Sequence, residues 1–165
     1  MERRPKKTAP TPLIRFIALD VDGTLLDSEW RVPQANRDAI RRATDAGIEV
    51  ALVTGRRFDF ARPVFDQIDA PLTLIVSGGA LVKSRDGQTR LQHLLPAGIA
   101  RSVLEATREF RDATALVFDR PRGGQVVHER LDLRDLHRRA YFARHRDAIV
   151  EAVPSSRRWP TIRSR

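Results

Sequence analysis

Three acids stand directly behind an apolar run in residues 16–28, FIALDVDGTLLDS: Asp20, Asp22 and Asp27. Carboxylates as close as Asp20 and Asp22 repel each other, so a divalent cation or a shared proton must hold them near a substrate. The chain has no cysteine, and its four histidines, His93, His128, His137 and His145, are scattered without metal-ligand spacing. Oxygen ligands alone favour Mg²⁺ over zinc. Gly23 lets the backbone turn closely, and Thr24 offers a hydroxyl and an N–H to an anion. Further along, Thr54-Gly55-Arg56 supplies a hydroxyl, a flexible backbone and a fixed cation suited to phosphate. Ser77-Gly78-Gly79 makes a third small polar loop. Any one of these would be an ordinary turn; three following successive apolar runs point to one phosphate-handling edge.

The elements that must carry these loops are legible in the hydrophobic pattern. Residues 13–19 read as a buried strand. Residues 33–46 place Ala35, Ala39, Ile40 and Ala43 at helical spacing, with Gly47 as the stop. EVALV at 49–53 predicts a second strand, 58–68 a second helix and LTLIV at 72–76 a third strand. Apolar strands alternating with helices imply parallel pairing in a Rossmann-like, doubly wound α/β sheet with right-handed crossovers. Ligands of such sheets bind beyond the carboxyl ends of the strands, where all three polar loops fall.

After Ser77 the rhythm changes. Residues 80–95 hold two β-like runs around Asp86-Gly87, a hairpin signal. Helical patterns at 97–110 and 133–153 flank two more strand-like runs, 115–119 and 125–128. The expected organisation is a basic arm at 1–12, a core at 13–79, an α+β cap segment at 80–153 and an aberrant or disordered tail at 154–165.

The net charge is +9 in 165 residues, with a pI near 11.3. Such a balance would ordinarily suggest a nucleic-acid partner. Its location argues otherwise, because residues 1–12 carry +3 and 154–165 carry +4, leaving only +2 between them. Nucleic acid is therefore not expected as a partner. No apolar run approaches the roughly 20 residues of a membrane helix, and the N-terminus lacks the apolar core of a signal peptide. Neither a membrane nor secretion is expected, and the absence of cysteine agrees with a cytoplasmic location.

The motifs themselves resemble a known family. DVDGTLLDS looks like the first motif of the haloacid dehalogenase-like hydrolases, and ALVTGRR like the second. The phrasing GIEVALVTGR is most similar to the Cof-type, or type IIB, sugar-phosphate phosphatases, in which a mixed α/β cap follows the third strand. The resemblance covers residues 13–153. It implies that Asp20 is the nucleophile that forms an aspartyl-phosphate, and that Asp22 is general acid and then base. Mg²⁺ would bind the Asp20 carboxylate and the Asp22 main-chain carbonyl. Thr54 would hold the transferring phosphoryl group, helped by the Gly23 and Thr24 N–H groups; Gly55 and Arg56 are further candidate substrate contacts, with a structural cation the equal alternative for Arg56. The substrate would be a small phosphorylated metabolite.

Two departures accompany the resemblance. Gly78 stands where the family often has Asn, and the family's later lysine and acidic loop have no counterpart in this chain. Lys83 is the lysine nearest to hand, but its hairpin position predicts a solvated side chain. The tail SSRRWPTIRSR matches neither helix nor strand, and with GC-rich codons it can be read one base out of frame as an acidic segment, so a frameshift is one expectation and a basic tail the other. The functional expectation is accordingly an impaired, truncated phosphatase, with a non-catalytic fragment or binding module of the same fold as the alternative.

Overall fold

The computed structural model describes residues 14–121 and 123–152. The arm at 1–12 and the tail at 154–165 lie outside the described residues. The chain divides into two compact units, Met1–Leu94 and Leu95–Arg165. Each is described separately.

The first unit is built on a five-stranded sheet in the order β1-β2-β3-β4-β5: Phe16–Asp20, Glu49–Val53, Thr73–Val76, Leu81–Ser84 and Thr89–Gln92. β1, β2 and β3 run parallel, in register from Phe16↔Glu49 to Asp20↔Val53 and from Ala51↔Thr73 to Val53↔Ile75. This is the α/β sheet that the alternating pattern predicts. The crossovers are helices α1, Gln34–Asp45, and α2, Phe58–Phe65. α1 stops just before Gly47, as the sequence requires. The register puts Ile17, Leu19, Val50, Leu52, Leu74 and Val76 on one face. There Val50, Leu52, Leu74 and Val76 are buried with Ile40 of α1 and Val64 and Phe65 of α2 in a single apolar cluster.

Two expectations for this unit are corrected. β1 reads as a buried strand, yet Phe16 is 48% exposed and the strand alternates between exposed and half-buried residues. β1 is an edge strand, and its outward face, Phe16, Ala18 and Asp20, lacks a covering layer among the described residues. The hairpin expected to open the cap instead extends the first sheet, because β4 pairs antiparallel with β3 and β5 with β4. The compact units accordingly divide at Leu94/Leu95 rather than near Gly79.

The second unit holds α3, Ala97–Ala106, and a three-stranded sheet of β6, Ala115–Val117, β7, Val126–His128, and β8, Ile149–Glu151. The long helix expected over 133–153 is shorter. α4 spans Leu136–Arg144, capped by Asp135 through the His137 and Arg138 N–H groups, and Ile149–Glu151 then pairs parallel with β7. Pairing with a distant strand overrides the local helical pattern.

A small core of Val126, Phe142 and Ile149 holds this unit together, with the His128 ring edge-on to Phe142 at 5.2 Å. Burial pushes the His128 imidazole below its usual range, partly opposed by the Thr114 backbone, and its Nδ1 has no hydrogen-bond partner among the described residues. The folded state therefore binds fewer protons here than the unfolded chain. His128 contributes stability that is intact above its unfolded value of 6.5 and is lost as the pH falls below it. Urea midpoints of the full chain should drop more between about pH 7.5 and about pH 5.5 than those of His128→Leu, which has no proton to bind there. Equal drops would contradict this reading.

Candidate active site

β1, β2 and β3 deliver three loops to their common carboxyl edge, and main-chain hydrogen bonds lock two of them together. Thr54 N donates to Ile75 O at 3.0 Å, Gly78 N to Thr54 O at 3.3 Å and Ser77 N to Arg56 O at 2.8 Å. The loops at 54–56 and 77–78 thus form one platform. Beside it, the chain leaving β1 turns sharply through Gly23, whose φ of 78° is open to glycine and strained for other residues.

Asp20 ends β1 with its side chain exposed, and its Oδ2 accepts the Thr24 hydroxyl at 3.0 Å. Asp22 faces the platform. Its Oδ2 accepts the Thr54 hydroxyl at 3.0 Å, and the Arg56 guanidinium grips both oxygens, with Nη2 to Oδ1 at 2.5 Å and Nε to Oδ1 and Oδ2 at 3.1 and 3.2 Å. Thr54 is 3% exposed, and its hydroxyl oxygen also accepts the Arg56 N–H at 3.1 Å. These bonds, Arg56 foremost, hold the Asp22 carboxyl below the usual carboxylate range. Charge-assisted, forked contacts of this kind are among the strongest a carboxylate makes.

The sequence-predicted residues Asp20, Asp22, Gly23, Thr24, Thr54, Gly55 and Arg56 all fall on this edge. Within it, Arg56 and the Thr54 hydroxyl are engaged with Asp22. Asp27 is half-buried and organises its loop: its Oδ1 accepts the Glu29 and Arg31 N–H groups, both at 2.9 Å. Lys83 is not solvated. It is 5% exposed, with Nζ donating to Thr89 Oγ1 at 2.7 Å and lying 5.5 Å from the Phe58 ring centroid. Two aromatic residues escaped sequence reading, because only packing brings Trp30 and Phe60 against Arg56; the guanidinium carbon is 5.0 Å from each ring centroid.

A hard cation suits the donor set at Asp20. One carboxylate oxygen, Oδ1, accepts no hydrogen bond from the described residues, and Mg²⁺ commonly takes one or two carboxylates and keeps water for the rest of its shell. Among the described residues no group of three or more His, Asp and Glu converges on a common point. The exposed Asp20 carboxylate could supply part of a Mg²⁺ shell.

A family model described as haloacid dehalogenase-like hydrolase matches residues 17–148. The chain belongs to the haloacid dehalogenase-like hydrolases, of the Cof type. Among curated proteins it is 41% identical over 68 residues to the 5-amino-6-(5-phospho-D-ribitylamino)uracil phosphatase YwtE of Bacillus subtilis, covering 41% of this chain and 23% of that protein. It is 33% identical over 106 residues to the HMP-PP phosphatase of Serratia proteamaculans, covering 64% of this chain and 38% of the other. The solved phosphatase BT1666 from Bacteroides thetaiotaomicron superposes with a TM-score of 0.66 at 28% identity, over 90% of this chain and 54% of that one. The chain thus spans about half the length of this solved relative, and less of the curated ones. Among the described residues, no helix is long and apolar enough to cross a membrane.

Proposed function

We propose that the chain carries the nucleophile half of a Mg²⁺-dependent phosphatase that hydrolyses a small phosphorylated metabolite, such as a sugar phosphate, in the cytoplasm. The observation that carries this reading is the pairing at the sheet edge: an exposed Asp20 beside an Asp22 held by Thr54 and Arg56. Relatives named as phosphatases of small phosphorylated compounds support the substrate class.

In this mechanism Asp20 attacks phosphorus. A carboxylate oxygen–phosphorus bond forms, the ester P–O bond breaks, and Asp22 gives its proton to the departing oxygen. Asp22, now a carboxylate, takes a proton from water as the water oxygen attacks the aspartyl-phosphate. That second displacement releases inorganic phosphate and restores Asp20. Thr54 and Arg56 favour the charged form of Asp22, the form that serves this second step. Thr24, Gly23 and Gly55 would supply main-chain and hydroxyl donors to the phosphoryl oxygens. Mg²⁺ held by the Asp20 carboxylate and the Asp22 carbonyl would neutralise charge between the two anions.

Electrostatic stabilisation is usually the largest catalytic term. The described residues supply part of it, so slow turnover is expected of these 165 residues alone. Hydrolysis of an aryl phosphate should require added Mg²⁺, disappear with a chelator and return with excess metal. Activity indifferent to the chelator would contradict the proposal. The alternative, a non-catalytic fragment or binding module of the same fold, is favoured by one observation, the open edge of β1 with Phe16 48% exposed.

A further inference from the structure

Trp30 is the most conspicuous side chain that this mechanism leaves unused. It is 65% exposed, yet its backbone sits at φ 61°, a left-handed conformation that is strained for a bulky residue. Strain of this kind persists only where the surroundings impose it. Asp27 imposes it here. Its carboxylate accepts the Glu29 and Arg31 N–H groups, its carbonyl accepts Trp30 N–H at 3.1 Å, and its own N–H donates to Arg31 O at 2.9 Å. The resulting tight turn sets the indole against Arg56, which also meets Phe60, each ring centroid 5.0 Å from the guanidinium carbon. The Arg56 side chain is only 13% exposed, and its fork closes on Asp22.

We propose that Asp27, Trp30, Phe60 and Arg56 form a positioning relay that fixes the direction of the Asp22 carboxylate. A guanidinium is planar, so contact with two rings restrains its orientation, and the fork then fixes both carboxylate oxygens. Arg56 acts through Asp22 in this account. The role also gives a purpose to the third acid of the opening motif: Asp27 shapes the turn that presents Trp30. The inference rests on the proposed phosphatase reading for its catalytic consequence, but the coupling itself belongs to the folded chain.

The coupling is read without turnover. The sequence holds two tryptophans, Trp30 and Trp159, so Trp159→Phe leaves Trp30 as the sole emitter. In that background Asp22→Ala removes the anchor of Arg56, and the Trp30 emission maximum should shift; an unchanged spectrum overturns the relay whether or not the chain is an enzyme. With activity established, Trp30→Ala should lower kcat on an alkyl phosphate about tenfold with little change in KM, because a misdirected acid matters most for a basic leaving group. The loss on an aryl phosphate should be smaller, and Trp30→Phe should restore much of the rate. A rise in KM alone, or equal losses on both esters, would make Trp30 and Arg56 substrate contacts and overturn the proposal. Loss of turnover on Asp20 substitution belongs to the phosphatase reading and leaves the spectral result untouched.

Discussion

Asp20→Asn abolishes measurable phosphate-ester hydrolysis in this account, because removing a covalent nucleophile costs on the order of 10⁶-fold in kcat. The amide keeps the size of the carboxylate, and its oxygen can still accept the Thr24 hydroxyl now 3.0 Å from Oδ2. What it lacks is the anionic oxygen that attacks phosphorus. The side chain is exposed at the end of β1, so the fold should not notice the change, and thermal melting should match the wild type. Loss of activity with unchanged melting locates the effect in chemistry. Retained activity would remove Asp20 from the reaction.

Phe65→Ala is expected to cost about 3–5 kcal/mol of stability, as large aromatic deletions in cores do. Phe65 is 1% exposed on α2 and packs 6.5 Å, ring to ring, from Phe58 in the cluster that also buries Val50, Leu52, Leu74 and Val76. Those strand residues immediately precede the loops bearing Thr54 and Ser77. Domain stabilities are about 5–15 kcal/mol, so the substitution removes a large share of the total. Among the described residues one face of β1 is exposed, which leaves less apolar burial to draw on. Denaturant midpoints should fall steeply, and catalysis should fail at temperatures the parent chain tolerates. A shift below about 1 kcal/mol would mean that the cavity collapses or that this packing is incidental.

These two residues also show where the sequence is legible. The loop at Asp20 could be placed because apolar strands alternating with helices force parallel pairing, and parallel pairing sends every strand's carboxyl end to one edge. EVALV became β2 with the expected bounds, since a continuously apolar five-residue run has few other uses. The helix at 133–153 failed for the opposite reason. DAIVEAV suits a helix locally, but Ile149–Glu151 finds its partner in β7, more than twenty residues earlier, and nothing in the local pattern records that pairing.

The burial of β1 was overestimated because an apolar strand says what should cover it, not whether the cover is there. Lys83 was read as solvated from its hairpin position, whereas the register turns it onto the face of Leu74, beside Phe58. The same limit hid Trp30 and Phe60. Their approach to Arg56 depends on one side chain from the loop after β1 and one from α2, and only the cation they meet is visible in the motif.

The most direct test of the account is to quench the chain during turnover of a phosphate ester with Mg²⁺, reduce it with borohydride and map the peptides by mass spectrometry. An aspartyl-phosphate is reduced to homoserine while an unmodified carboxylate is not. The account predicts homoserine at position 20, absent without substrate. Hydrolysis that proceeds with Asp20 intact, or with the modification at another acid, would contradict it.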